Sequence, residues 1–161
     1  MGIYIFSGGR HIQNGYIVDP LNATYVVDGQ SIKLTNGGAS MEVAPGSAAK
    51  ITTMVFGTPV GGDLNGDGKE DAAVVLVQNP GGSGTFYYVA AAINRGNATQ
   101  GTNAISFGDR VAPQTLEINN GKIIMNYADR KPGEPMTVQP SVGVSRYFTV
   151  QNGTLLESQA Y

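Results

Sequence analysis

The sequence predicts an all-β fold, an antiparallel sandwich or a barrel-like bent sheet built of hairpins. Short runs of Val, Ile, Thr and Tyr recur along the chain, and glycine-rich turns separate them at intervals of roughly 8 to 12 residues. Charged residues make up only 14% of the chain, against about 25% in ordinary soluble domains. Glycine is abundant, with 23 of the 161 residues. A chain of this length forms one domain with a real hydrophobic core.

We expect one β-rich domain over residues 16–161, preceded by an N-terminal segment, residues 1–15, that is supplied by cloning, forms an edge strand or is flexible. Within the domain, residues 16–46 form an N-terminal meander and residues 47–161 form the core. The N-terminus has neither the basic head nor the long apolar middle of a signal peptide. We therefore expect either a cytosolic protein or a chain that begins after a removed export signal.

Tight turns define the predicted hairpins, because Asn-Gly and Asp-Gly pairs tolerate positive φ. Asp28-Gly29 and Asn36-Gly37-Gly38 separate the three strands of the meander, which runs from about Thr24 to Val43. Two further hairpins turn about Asn119-Asn120-Gly121 and Gln151-Asn152-Gly153. These signals predict about ten strands in antiparallel order.

The most apolar part of the chain is a predicted hairpin, in which "DAAVVLVQ" and "TFYYVAAAI" are joined by "NPGGSG". Alternate residues of a strand point to opposite faces. Phe86, Tyr88, Ala90 and Ala92 therefore share one face, and Tyr87, Val89, Ala91 and Ile93 share the other. Both faces are apolar, which predicts a central pair covered on both sides. A short helix over "VAAAIN" is the competing interpretation.

Two segments around this hairpin are predicted to lack regular structure. Gly57, Pro59, Gly61 and Gly62 interrupt any element between the preceding strand, "KITTMVFG", and the strand that follows. The polar, glycine-bearing segment from Asn94 to Asn103 is predicted to be a mobile loop.

An acidic loop, "GGDLNGDGKED", precedes the first strand of the apolar hairpin. If Asp63 is position 1, side-chain oxygens stand at positions 1, 3, 5 and 9, glycine at 6, and a backbone carbonyl at 7. This spacing is typical of calcium loops, since Ca²⁺ takes six to eight hard oxygen ligands from a tightly turned chain. The predicted ligands are Asp63, Asn65, Asp67 and Asp71 through their side chains and Lys69 through its carbonyl.

Position 12, where an EF-hand carries a bidentate Glu, is Val74, and a β-type run follows the loop. The loop instead resembles the D-x-[DN]-x-D-G-x-x-D loops that enter strands in the FG-GAP repeats of integrin-type propellers. The chain also resembles small secreted or lipid-anchored bacterial proteins of uncharacterised function that carry a single loop of this kind. The resemblance implies a calcium ligand set and export. A propeller is not expected, because the motif occurs once.

Two alternatives to calcium remain open from the sequence. The loop can be an acidic segment rich in Asx turns that binds no metal. Magnesium is less favoured, because it dehydrates reluctantly and seldom occupies a cage built of protein ligands. In the absence of any cation, three carboxylates in nine residues would raise one another's pKa.

A second candidate site is a polar groove for a sugar or peptide. Two Asp-Arg pairs lie beside aromatic residues and prolines, in "FGDRVAPQT" and "NYADRKPGEPM". The alternative is structural, with each Arg paired locally and bonded to loop carbonyls. The groove would comprise Asp109, Arg110, Asn126, Tyr127, Asp129 and Arg130.

Catalysis has few candidates in this sequence. The chain has no Cys and one His, His11, which lies near the chain end and is not expected to be catalytic. A hydrolase, for example one acting on carbohydrate, would have to use paired carboxylates. The acids available for that alternative are Asp109, Glu117, Asp129 and Glu134.

The overall charge and hydropathy exclude two classes of partner. A net charge of -2 provides no basic stripe for nucleic acid, and no apolar run is long enough to span a membrane.

Taken together, the acidic loop, the β pattern and the few catalytic candidates lead us to expect a non-catalytic exported or cell-surface β-domain, extracellular or periplasmic, stabilised by one calcium ion and binding a protein or glycan. A further alternative is an assembly subunit that adds the "IYIF" segment to a neighbour's sheet.

Overall fold

Two central strands, buried on both faces, organise the fold into three layers of sheet. The computed structural model describes the backbone of residues 5–7 and 10–12 and the whole of residues 15–160. One 3₁₀ turn, Pro20–Asn22, is its only helical element in those residues. The strands in chain order are β1 (Ile5–Ser7), β2 (Arg10–Ile12), β3 (Thr24–Val27), β4 (Gln30–Lys33), β5 (Gly38–Glu42), β6 (Lys50–Gly62), β7 (Asp71–Asn79), β8 (Phe86–Asn94), β9 (Thr99–Gly101), β10 (Ile105–Asp109), β11 (Ala112–Asn119), β12 (Lys122–Asp129), β13 (Val142–Gln151) and β14 (Thr154–Ser158).

The central sheet has the order β10-β8-β7-β6-β5, and β9 pairs with the end of β8. A four-stranded sheet, β11-β12-β13-β14, covers one of its faces, and the β3-β4 hairpin covers the other. All strand pairs in these sheets are antiparallel, and β1 pairs with β2 in the same way. The predicted all-β sandwich is confirmed, and no sheet of the described residues closes into a barrel.

The first core lies between the central and four-stranded sheets. It is closed by aliphatic and aromatic side chains that alternate along each strand, as expected for strands with one face buried. Phe107 and Tyr127 pack at the centre, with ring centroids 4.9 Å apart. The buried members are Leu64, Ala73, Val75, Val89, Ala91, Ile93, Phe107, Val111, Ile123, Met125, Tyr127, Phe148, Val150 and Leu155.

The second core lies on the opposite face of the central sheet, beneath the β3-β4 hairpin. Alanines of β7 and β8 leave room there for the larger side chains of the hairpin, among which Tyr25 and Leu34 are fully buried. The buried members are Ala23, Tyr25, Val27, Ile32, Leu34, Ala72, Val74, Leu76, Tyr88, Ala90 and Ala92.

The predicted hairpin of β7 and β8 and its two-sided burial are confirmed. Val89, Ala91 and Ile93 enter the first core, and Tyr88, Ala90 and Ala92 enter the second. The helical interpretation of "VAAAIN" is wrong, because its first four residues pair with β7 and its last two, Ile93 and Asn94, pair with β9. Alanine has the highest helix propensity of the amino acids, but propensity is a weak constraint, and two-sided tertiary packing overrides it here.

The three strands of the predicted meander form, but they do not pair as one sheet. β5 pairs with β6, and its connection to the preceding segment is an isolated bridge between Thr35 and Gly38. Ile32 and Leu34 are apolar and bury against the face of the central sheet. The β3-β4 hairpin therefore lies over that face, while β5 extends the edge of the sheet.

The interruption predicted at residues 57–62 is wrong in part. β6 continues to Gly62, and a register shift between Phe56 and Val60 carries Gly57, Thr58 and Pro59 out of the ladder. A bulge accommodates a proline because that residue needs no backbone N–H partner there. Gly62 is required for packing, since a Cβ at this position would lie 2.8 Å from the Ile118 Cγ2.

The predicted loop at Asn94–Asn103 contains a short strand, β9, that pairs with β8. A Cβ on Gly101 would overlap the carbonyl oxygen of Thr24, so glycine allows the backbone of β9 to pass beside β3. Asn94 and Thr102 are buried, so the polar composition misses both their burial and this close backbone approach.

Two polar side chains connect the sheets of the sandwich. The Asn103 amide pairs with the backbone of Leu155 in both directions, at 2.8 and 3.1 Å, as a neighbouring strand would. The Arg146 guanidinium donates to the Ser106 carbonyl at 3.0 Å and forms a two-bond ion pair with Glu157. The two links between the sheets join residues that are 52 and 40 positions apart in sequence.

The side chain of His11 and the "IYIF" segment lie outside the fully described residues, so the predictions made for them stay predictions. Within the described part of the chain, no helix has the length and hydropathy needed to cross a membrane.

Candidate metal centre

The acidic loop, residues 63–70, joins β6 to β7 at the point where β7 enters the buried centre of the fold. Leu64 is the apolar anchor of the loop, because its side chain is buried in the first core. Asp71 is the first residue of β7 and is 0% exposed. The loop is therefore held at both ends by burial, and its residues from Asn65 to Glu70 are exposed.

The Asp71 carboxylate joins two segments that are distant in sequence. Its Oδ2 accepts the backbone N–H of Leu64 at 2.8 Å, and its Oδ1 accepts that of Asn94 at 2.8 Å. Burial raises the pKa of Asp71, and the nearby charges of Asp67 and Asp63 raise it further, while the two hydrogen bonds lower it. The balance of these effects is a raised pKa, because the desolvation and the two neighbouring acids outweigh the two hydrogen bonds.

Side-chain acceptors fold the rest of the loop. Asp63 accepts the N–H of Gly66 through Oδ1 at 2.8 Å and that of Gly68 through Oδ2 at 2.9 Å. Asp67 Oδ1 accepts the N–H of Lys69 at 2.9 Å. Gly66 and Gly68 have φ of 77° and 81°, a region that glycine adopts without strain. This sequence of Asx turns draws the carboxylates of the loop toward one point.

Three carboxylates meet at that point. Asp63, Asp67 and Asp71 each offer an oxygen, and these oxygens lie within 4.8 Å of one another. Lys69 Nζ approaches Asp67 Oδ2 only to 3.9 Å, and its side chain is half exposed. The set of hard oxygens suits a divalent cation such as Ca²⁺ or Mg²⁺. The cluster is a possible metal-binding group, and acidity alone does not select the metal.

The other two predicted ligands belong to the same loop. Asn65 is exposed, and its Oδ1 lies 3.3 Å from the Asp67 nitrogen. Lys69 follows Gly68, whose positive φ turns the chain before β7. The structure thus brings together the three predicted aspartates, while the ligand roles of Asn65 and of the Lys69 carbonyl stay predictions.

The six residues of the predicted groove divide into a closed polar cluster and two separate positions. Asp109 forms an ion pair with Arg110 at 2.8 Å and accepts the N–H of Thr85 at 2.8 Å. The hydrogen bond from Arg110 holds the pKa of Asp109 below its usual range. Asp129 accepts the N–H of Arg130 at 2.7 Å.

Arg130 binds three backbone carbonyls and so closes the polar cluster. Its guanidinium donates to Val138 at 2.7 Å, Met136 at 3.1 Å and Arg110 at 2.8 Å. The proline-rich segment after β12 is held in place by these bonds, because it has few backbone partners of its own. This arrangement matches the structural alternative, in which arginine satisfies loop carbonyls.

Asn126 and Tyr127 point to opposite faces of β12. Tyr127 is 4% exposed and packs in the first core. Asn126 faces solvent, where its amide donates to Thr115 at 2.8 Å and to Glu117 at 3.1 Å. The six residues therefore do not line one shared groove.

The acids available to a hydrolase each have a local bond in the structure. Glu117 accepts from Asn126, and Glu134 accepts the backbone N–H of Lys131. Asp109 and Asp129 are held as described above.

The sequence does not signal the apolar cleft between the bulge of β6 and strand β11. Its volume is about 150 Å³, and Phe56 stands at its rim with an exposed fraction of 43%. Phe56 packs edge-on against Tyr87, with ring centroids 5.4 Å apart. The cleft arises from two bulges, one in β6 and one in β11 at Pro113–Thr115, and sequence patterns do not specify which bulges will face each other.

No protein-family model, curated protein or solved structure matches this chain. The likeness of the acidic loop to FG-GAP loops therefore stays a prediction based on the residues of that loop.

Proposed function

We propose that this protein is a non-catalytic β-sandwich module, exported or displayed at the cell surface, whose acidic loop binds one calcium ion. The observation that carries the proposal is the convergence of Asp63, Asp67 and Asp71, whose oxygens lie within 4.8 Å of one another. Asn65 and the Lys69 carbonyl complete the ligand set that the loop spacing predicts.

Electrostatics favour a cation at this point. Three carboxylates in close contact repel one another, and burial adds a desolvation cost at Asp71. A bound divalent cation would offset both effects. It would also fix Asp71, and through its hydrogen bonds it would stabilise the start of β7 and the end of β8.

Calcium is preferred to magnesium on chemical grounds. Calcium accepts many protein oxygens in irregular geometry, whereas magnesium demands a near-octahedral shell and usually keeps several waters. Extracellular modules bind calcium with dissociation constants of about 10⁻⁴ to 10⁻³ M. A site with that affinity would be filled largely by the millimolar calcium outside cells, and the proposal therefore pairs the calcium loop with an exported location.

A binding or adhesion role toward a protein or glycan completes the proposal. Several connections gather at the end of the sandwich that carries the acidic loop. A Cβ on Gly121 would lie 3.6 Å from the Asp63 carbonyl oxygen, and one on Gly96 would lie 3.5 Å from the Lys69 Cε. Loops grouped on a rigid scaffold are where binding residues concentrate.

The test is titration calorimetry of the chelator-treated protein with Ca²⁺ and, separately, with Mg²⁺. We expect one calcium per chain, with weaker or no magnesium binding. Asp63→Asn should abolish the calcium signal. Glu134→Gln, which removes an acid far from the loop, should leave it unchanged. The absence of calcium binding at millimolar concentration would refute the proposal.

A further inference from the structure

Four Asn-Gly pairs lie in the described part of the chain, at Asn36-Gly37, Asn65-Gly66, Asn120-Gly121 and Asn152-Gly153. This dipeptide is chemically labile, because glycine has no Cβ to hinder approach of its nitrogen to the preceding side chain. The glycine nitrogen bonds to the asparagine Cγ, ammonia leaves, and a succinimide ring forms. Water then opens the ring at either carbonyl, which yields aspartate or isoaspartate.

Two of the four pairs are held by hydrogen bonds. The Gly37 N–H donates to the Leu21 carbonyl at 2.8 Å, and the Asn36 N–H donates to Asn22 Oδ1 at 2.9 Å. In the acidic loop, the Gly66 N–H donates to Asp63 Oδ1 at 2.8 Å. These bonds must break before the glycine nitrogen can turn toward the asparagine side chain.

The other two pairs occupy the tips of two-residue hairpins. Asn120 and Asn152 are exposed and have φ of 50° and 51°. Neither their side-chain amides nor the N–H groups of Gly121 and Gly153 form a hydrogen bond within the described residues. Ring closure at these positions therefore breaks no hydrogen bond of the glycine nitrogen or of the asparagine side chain that react.

We propose that Asn120 and Asn152 are sites of spontaneous deamidation, and that the fold protects the same dipeptide at Asn36 and Asn65. The reaction consumes one water and releases one ammonia at each site. An isoaspartate product lengthens the backbone of a two-residue turn, on which the register of the hairpin depends. Both products add a negative charge to the end of the sandwich that carries the acidic loop.

The consequence differs between the two tips. A Cβ on Gly153 would lie 3.2 Å from Arg95 Nη2, so a new carboxylate at position 152 arises near a guanidinium. A Cβ on Gly121 would lie 3.6 Å from the carbonyl oxygen of Asp63, so a new charge at position 120 arises beside the acidic loop.

The experiment is to age the folded full-length chain at mildly alkaline pH and to follow each Asn-Gly peptide by mass spectrometry after digestion. Asn120 and Asn152 should deamidate about two- to twelvefold faster than Asn36 and Asn65, the factor that corresponds to one net hydrogen bond. The same chain aged in denaturant is the control, and there all four should react at similar rates. Equal rates in the folded protein, or no reaction at Asn120 and Asn152, would overturn the proposal.

Two variants complete the test, one of the protection and one of the assignment of the signal. Asn22→Ala removes the side chain that accepts the Asn36 N–H and should accelerate deamidation at Asn36 while leaving Asn120 unchanged. Asn152→Gln should abolish the signal at its own site alone, because glutamine forms the corresponding ring much more slowly. If the Asn22→Ala variant folds but its deamidation rate at Asn36 is unchanged, the protective role of the hydrogen bonds is contradicted.

Discussion

The acidic loop and the Asp109–Arg130 cluster contain the same kind of carboxylate but differ in the source of the opposing charge. In the cluster, Arg110 lies 2.8 Å from Asp109 and lowers its pKa. In the loop, Asp71 is buried beside two other acids and its pKa is raised. The two pKa shifts have opposite directions. In the Asp109–Arg130 cluster the chain itself supplies the opposing positive charge, whereas the acidic loop gains from an added cation.

The largest expected effect comes from removing the buried acid of the loop. Asp71→Ala leaves the backbone N–H groups of Leu64 and Asn94 without acceptors in a buried place. Each such loss costs about 1–3 kcal/mol, so we expect the free energy of unfolding to fall by about 2–6 kcal/mol in urea denaturation with chelator present. Asp67→Ala, at an exposed position, should cost less. Equal stability of the two variants would contradict the structural role of Asp71.

The next effect is the response to calcium, which distinguishes the two regions. At a free concentration of about ten times the dissociation constant, calcium should raise the free energy of unfolding by about 1.4 kcal/mol. Differential scanning calorimetry with and without chelator measures the change. Asp63→Asn should lose the response, and Asp109→Asn should keep it. A response lost in both variants would mean that calcium acts elsewhere.

Removal of the Arg130 guanidinium should lower the stability of the Asp109–Arg130 cluster without changing the response to calcium. Arg130→Lys keeps the charge but loses the planar geometry that serves three carbonyls. We expect a loss of about 1–3 kcal/mol in unfolding free energy and faster proteolysis between residues 131 and 141. Lys131→Arg is the matched control, since it changes a neighbouring cation outside the fork. Unaltered proteolysis in Arg130→Lys would contradict the bracing role.

The smallest effect is the pH dependence of Asp109. Its pKa is lower in the folded than in the unfolded chain, so the stabilisation is present above the unfolded pKa of about 4 and is lost as the pH falls through the folded value. Surface exposure keeps this contribution small. Carboxyl NMR titration should find a lowered pKa for Asp109 and a return toward the usual value in Arg110→Ala. A pKa that Arg110→Ala leaves unchanged would refute this origin of the shift.

Local patterns were sufficient to predict much of the fold. The two apolar faces of β8 follow from alternation of Tyr88 and Val89, and the hairpin tips follow from Asn120-Gly121 and Asn152-Gly153. The pairing of β5 was not predictable, because Gly38–Glu42 is equally able to join β4 or β6. Competition for the faces of the central sheet decides that choice.

The acidic residues of the candidate metal site were predictable from the sequence, but the hydrogen bonds that connect them to the rest of the fold were not. The spacing of Asp63, Asp67 and Asp71 indicates oxygen ligands, and these three carboxylates converge in the structure. The bond from Asn94 to Asp71 spans 23 residues and has no local signal. Strand alternation predicts that Asn126 and Tyr127 point to opposite faces of β12. It does not predict which of the two faces is buried, and that depends on the packing of the sheets.

The sequence by itself determined the strand-forming segments, the turn positions and the acidic loop, because these depend on interactions between residues close along the chain. Only the tertiary structure decided that the β3-β4 hairpin forms a third layer, that β6 continues past Pro59 and its glycines through a bulge, and that Arg130 closes its own cluster. Those outcomes depend on contacts between distant segments, which form when apolar faces and backbone groups compete for burial and for hydrogen-bond partners.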